Sequence, residues 1–284
     1  MALRVFGPRP KISIIGRGGK SVILSRIGRC VNDGLSLREV PEGLSGFPVE
    51  HEHDEVVGSA GGVWRGIRQS PQQITLQLQA RGDVKAHIDE LLGVLGQQGE
   101  PSRLVVATTE DGYRWLEVRY VSISDVQWFG LPGENEFAQF SVQLWAARPL
   151  WQRFEQVKVF SGSGVRSGKL EVPLEGNASA WPKFKVSGVY QSLKLRPNES
   201  VEWQELPHQK QGWVVVSDPA HRSVASPDGA VEYTGVVPWW PDPLQHNSVT
   251  GLDGTVPVFI DIEGPGDDFR LEVIFETPEA TRAW

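Results

Sequence analysis

The stretch from Asn135 to Ala146 alternates between two faces along its whole length. Phe137, Gln139, Ser141, Gln143 and Trp145 fall on one side. Glu136, Ala138, Phe140, Val142, Leu144 and Ala146 fall on the other, which is the apolar side. A period of two belongs to a strand with one buried face. The strand runs into Trp145-Ala-Ala-Arg-Pro-Leu-Trp151, where Arg148-Pro149 ends it. A Gly/Ser stretch follows (Ser161 to Gly168), then Pro173 to Pro182 and a new strand, Lys183 to Val186. One β-rich unit ends here and another begins.

The length agrees with that division, since 284 residues at about 150 per domain make two domains. We expect residues 1–150 as the first domain, 151–168 as a linker and 169–284 as a second, all-β domain. The 31 glycines and 20 prolines supply turns for many short strands. The formal charge of -7 argues against general or sequence-specific nucleic-acid binding, which needs a basic face to displace phosphate counterions. Cys30 is the single cysteine, so no intramolecular disulfide forms, which fits assembly in a reducing cytosol. The N-terminus shows no apolar signal-peptide core, and no apolar run approaches the ~18 residues of a membrane span. Neither secretion through a signal peptide nor a membrane segment is expected.

Along the chain, Ile12–Ile15 and Lys20–Ser25 read as a hairpin around Gly16-Arg-Gly-Gly19. Residues 32–60 are polar and broken by Pro41, Gly43 and Gly46, which suggests a long arm or extended loop. Gly62–Ile67 and Gln73–Ala80 read as strands. Between Asp83 and Gln97 the period changes. Ile88, Leu91, Leu92 and Leu95 recur at helical spacing, with Asp83 as N-cap and Gly99 as stop. Strands resume at Arg103–Thr109 and Tyr113–Ser122, joined by Asp111-Gly112. Trp115, Glu117 and Arg119 point one way, and Leu116, Val118 and Tyr120 the other. In the second half, strands fall near 169–174, 181–188, 191–196, 212–217, 221–225, 256–262 and 269–276. The expected fold is mainly β: a sandwich or barrel-like first domain crossed by one helix, then a β-sandwich.

Chemistry-bearing patterns are weak. Gly16-Arg-Gly-Gly-Lys-Ser21 imitates a phosphate-binding loop, but Ile14 stands where the motif needs glycine and Val22-Ile-Leu reads as strand where it needs helix. His51-Glu-His53-Asp-Glu55 is the densest set of metal-ligand types; His-x-His on a strand would put both imidazoles on one face. No second cluster lies nearby in sequence, and a solvated acidic loop is the competing reading. Ser163 lacks the nucleophile-elbow context, and Cys30 sits among Ile27 and Val31 as in an ordinary strand. No catalytic residue, metal or cofactor is expected.

The chain has 11 tryptophans and 4 tyrosines. Val237-Pro-Trp-Trp-Pro-Asp-Pro243 is a proline-stiffened loop presenting Trp239 and Trp240. These indoles are either a platform for a sugar ring or protein partner, or a loop tucked onto its own sandwich. Trp203 and Trp213 are candidates for the same surface.

The order of these elements resembles the distal tail proteins (Dit-like, minor tail proteins) of long-tailed siphovirus bacteriophages, of actinobacterial-phage flavour. The resemblance rests on Val63-Trp-Arg-Gly-Ile67, the Gln73-to-Arg81 strand, the helix, Tyr113-Arg-Trp-Leu-Glu-Val-Arg119 and Phe140-to-Trp151. Leu174-to-Gly188 and Gly264-Pro-Gly-Asp-Asp-Phe-Arg-Leu-Glu-Val273 extend it over nearly the whole chain. It implies a non-catalytic virion protein made in the host cytoplasm and placed at the distal end of the tail. There a homohexameric ring of belt domains would join the tail tube to the baseplate hub and host-binding proteins, with a channel for DNA. Its implied partners are further copies of itself and the tail tube, tape-measure and hub proteins. The second domain would be a galectin-like or carbohydrate-binding-module-like sandwich. From the tryptophans alone, a carbohydrate-binding module or host-cell-wall adhesin remains the alternative, with host-surface glycan as ligand.

Overall fold

The computed structural model describes residues 10–24, 33–55, 62–108, 112–130, 137–161, 167–173, 181–196, 202–206, 212–218, 221–232, 255–275 and 279–280. Among them the chain is mainly β with one helix. It divides into two compact units, one within residues 1–152 and the other within 153–280.

The first unit contains β1 (Lys11–Ile15), β2 (Ser21–Ile23), β3 (Gly34–Leu37), β4 (Val49–Glu55), β5 (Gly62–Gln69), β6 (Gln72–Arg81), α1 (Val84–Leu95), β7 (Ser102–Thr108), β8 (Gly112–Ile123), β9 (Gln127–Trp128), β10 (Phe137–Ala146) and β11 (Trp151–Gln152). Its main sheet runs in the order β2-β1-β7-β8-β10-β6-β3, with β9 beside β10. The sheet curls because β8 serves two neighbours. Residues 112–118 pair with β7, and residues 119–123 pair with β10 across a register shift at Gln143/Leu144. Such an irregularity bends a strand and increases its twist. At the opposite margin the Leu37 N–H donates to the Leu24 carbonyl at 3.1 Å, so the sheet is nearly a closed barrel.

The inside of the barrel is the apolar face read from the sequence. Ala138, Phe140, Val142, Leu144 and Ala146 of β10 are buried opposite Ala80, Leu78, Leu76, Ile74 and Gln72 of β6. Leu116 and Val118 of β8, Leu104 and Val106 of β7, and Ile12 and Ile14 of β1 complete it. The helix begins at Asp83, whose carboxylate accepts from the Ala86 N–H at 3.0 Å. It stops at Gly96 rather than Gly99. Gly96 adopts φ 69° and its N–H bonds the Leu92 carbonyl, so the first glycine able to take a left-handed cap ends the helix. Its buried positions are Val84, Leu91, Val94 and Leu95, while Ile88 and Leu92 are only half-buried.

Residues 32–60 are not a plain loop. They hold β3, which pairs with β6, and β4, which forms a separate two-stranded ribbon with β5. The polar Val49-Glu-His-Glu-His-Asp-Glu55 has no apolar alternation because no core lies beneath it.

The second unit holds β12 (Gln156–Ser161), β13 (Ser167–Pro173), β14 (Lys183–Ser187), β15 (Ser192–Arg196), β16 (Gln204–Leu206), β17 (Trp213–Val216), β18 (Ser223–Ala225), β19 (Thr255–Glu263) and β20 (Arg270–Phe275). The span expected as a linker, 151–168, thus carries β11, β12 and the start of β13. Two antiparallel sheets, β12-β20-β14-β17-β18 and β13-β19-β15-β16, form the sandwich. Their inner faces share one core containing Phe184 and Val186 from one sheet and Leu193, Leu195, Val258 and Ile260 from the other. Alternation along each strand explains it: Lys-Phe-Lys-Val and Ser-Leu-Lys-Leu put every second residue inside.

Candidate interaction site

The β4–β5 ribbon is the part of the first unit with no core of its own. Its register pairs Val49 with Gln69, His51 with Ile67, Glu52 with Gly66 and His53 with Trp64, with a shift between Glu52 and His53. Arg65 is the extra residue of that bulge. Without it, Trp64 and Ile67 would lie on opposite sides of the pleat, being three residues apart. With it, Trp64 joins Ile67, Val49, His51 and His53 on one face. The other face carries Glu50, Glu52 and Asp54.

That second face is held by polar pairs. Arg65 forms an ion pair with Asp54, and the Ser70 hydroxyl donates to Glu50 at 2.7 Å. The apolar face has nothing of this chain against it: Trp64 is 64% exposed and Ile67 58%. A lone two-stranded hairpin is marginal in water, and clustered exposed apolar side chains mark an interaction surface.

The histidines of β4 share this face, as the His-x-His spacing implies. Among the described residues there is no group of three or more His, Cys, Asp or Glu side chains placed to hold a metal ion.

The tryptophans expected to form one contact surface separate. Trp213, at the start of β17, is 1% exposed and belongs to the sandwich core, which corrects its assignment as a contact residue. Trp203 precedes β16 and is 38% exposed. The Arg196 guanidinium stacks over it, 4.4 Å from the ring centroid, and over Phe259 at 5.2 Å. Arg196 and Phe259 are register partners on the outer face of β15 and β19, so the three side chains form one row across the sheet. Trp239 and Trp240 lie outside the described residues. Trp64 was legible only as part of a strand; the bulge that aims it is invisible in sequence.

No protein-family model matches the chain, and no curated protein matches its sequence. Among solved structures, the fold is similar to that of the Dit protein of phage SPP1, described as a paradigm of the hub adsorption apparatus in phages infecting Gram-positive bacteria. Identity is 14%, covering 94% of this chain and 98% of that one, with a TM-score of 0.61. Two structures of the phage P2 baseplate in its activated conformation, with Ca and with Sr, match at 9% identity. They cover 94% of this chain and 98% of theirs, with TM-scores of 0.44 and 0.42. At this identity the first likeness establishes the shared fold over both units.

Proposed function

We propose that the chain is a non-catalytic structural subunit of the distal end of a bacteriophage tail. Copies of the first unit close into a ring, with six as the expected number. The ring joins the tail tube to the tail tip, contacts the tape-measure and hub proteins, and leaves a channel for DNA. The subunit is made in the host cytoplasm and incorporated into the virion.

The carrying observation is the β4–β5 ribbon. Its amphipathic face, Val49, Trp64 and Ile67, is left open by its own chain and is suited to lie on a neighbouring copy. A patch that fits a different patch on the next copy makes a head-to-tail contact, which yields a ring when the rotation closes. The fold shared with the SPP1 Dit protein supports the same reading.

Mass photometry and negative-stain electron microscopy of the purified protein test it. Rings, or a discrete oligomer, are expected. A strict monomer that also fails to capture tail tube and hub proteins rules the reading out.

A second reading, glycan binding by the second unit, is favoured by the Arg196–Trp203–Phe259 row. Aromatic faces stack on sugar rings, and a fixed guanidinium donates to their hydroxyls. Trp203→Ala is then expected to abolish binding to host cell-wall glycan; unchanged binding excludes this row as the site.

A further inference from the structure

The outward face of the β6–β10 pair differs from an ordinary solvated sheet. The register sets Gln79 beside Gln139, Gln77 beside Ser141 and Thr75 beside Gln143. All are uncharged, in a chain whose charged fraction is 22%. The neutral field continues onto the neighbouring strands. Ser122 Oγ donates to Gln143 Oε1 at 3.2 Å, the Ser141 N–H donates to Ser124 Oγ at 2.9 Å, and Gln79 Nε2 donates to Ser36 Oγ at 3.0 Å.

Charges stand only at its margins. Arg81 lies at one end, stacked on Phe137; Arg119 lies beside Trp145 at the other; Arg38 and Glu42 flank it beyond β6.

This composition excludes two common uses. Protein docking sites centre on buried aromatic or arginine anchors, and here the aromatics, Phe137 and Trp145, sit at the two ends. Nucleic-acid binding sites present cations to phosphates, and the centre has none. Its polar groups bond one another within the sheet, which leaves few free donors to grip a passing ligand.

We propose that this face lines the channel of the ring and that its occupant is duplex DNA in transit. The assignment rests on the ring reading above and deepens it. A neutral polar wall neither holds a polyanion by ion pairs nor places fixed negative charge against it. The wall therefore lets duplex slide.

The test gives the face a charge it lacks. Wild-type protein and a Gln77→Lys/Gln143→Lys variant are compared by mass photometry and circular dichroism. Each is then mixed with a linear duplex and with a covalently closed circle of the same length and sequence. Wild-type rings are expected to retain neither. Variant rings of unchanged mass are expected to retain the linear duplex at least about tenfold over the circle, in a salt-dependent way, because only a free end can enter a closed ring. Equal retention of linear and circular DNA places the face on the outside and overturns the assignment. A folded variant that no longer assembles makes the face an interface between copies and overturns it equally. If wild-type protein stays monomeric and captures no tail partner, the ring reading itself falls, and this assignment with it.

Discussion

The Ser102 hydroxyl lies 2.9 Å from the Val94 carbonyl and 3.2 Å from that of Leu95, so the first residue of β7 holds the last turn of α1. Those carbonyls belong to the set that a helix C-terminus leaves without intrahelical partners. Ser102 is buried, so water cannot replace it. Ser102→Ala is expected to destabilise the first unit by about 1–3 kcal/mol, the cost of an unsatisfied buried acceptor. Urea denaturation followed by far-UV circular dichroism measures it. A midpoint equal to wild type would show that the helix end has another support.

Gly212 leads into β17 with φ 81°, and a Cβ there would press on the backbone of Val186 and Ser187 in β14. Both the conformation and the space demand glycine. Gly212→Ala is expected to cost at least about 1–3 kcal/mol, felt in the second unit alone. Gly18 in the first hairpin has nothing within 4 Å of a Cβ. Gly18→Ala should stay within about 0.5 kcal/mol of wild type. Thermal melts of the two variants give the comparison, and equal melting temperatures would refute the argument for Gly212.

How much of this was legible depended on whether a core lay beneath the residues. Phe140, Val142 and Leu144 alternate because the barrel interior takes every second side chain, and β10 was therefore readable to within two residues of its described start. The same holds for Leu116 and Val118, and for Asp83 as a cap. The β4 strand was not readable, because with no interior it has no reason to alternate. The bulge beside His53 left no mark in composition, so neither did the alignment of Trp64 with Ile67. Trp203 and Trp213 looked equivalent as indoles in short β segments. Only the sandwich decides that one is core and the other lies outside on a sheet face.

Trp213 accordingly has a structural role. It packs among the core residues of the sandwich with 1% exposure. Trp213→Ala should cost about 3–5 kcal/mol. Trp203→Ala should cost only the exposed stacking with Arg196, about 0.5–1 kcal/mol. Chemical denaturation of both variants separates the roles; a larger loss at Trp203 would reverse them.

Asp228 sits in the turn after β18, where the Ser226 hydroxyl and then the Ala230 N–H hydrogen-bond its carboxylate and lower its pKa from the ordinary 3.8. A depressed folded-state pKa adds stability that is present above the unfolded value and lost as pH falls through the folded one. Asp228→Asn should therefore lower the melting temperature near neutrality. The gap to wild type should close on acidification below 3.8. The carboxylate is fully exposed, so the effect is small. A gap that persists unchanged at the acid end would assign it to the turn's shape instead of its charge.

The ribbon yields the sharpest separation of folding from assembly. Trp64 and Ile67 contribute little to the fold, since both are more than half exposed and no core element covers them. Trp64→Ser with Ile67→Ser should leave the melting temperature within the change typical of surface substitutions, about 0.5 kcal/mol. The same pair supplies the ribbon's apolar contact with a neighbour, where burying side chains of this size is worth roughly 1.5–3 kcal/mol each. Loss of both should shift self-association by at least about a hundredfold, at 1.4 kcal/mol per factor of ten. Reversing the face that carries Glu50 and Glu52 by Glu50→Lys with Glu52→Lys provides the control, because that face points away from the apolar contact. Analytical ultracentrifugation over a concentration series reads both variants. A double serine variant that assembles like wild type would remove the ribbon from the ring contact, and a lysine variant that alone fails to assemble would move the contact to the acidic face.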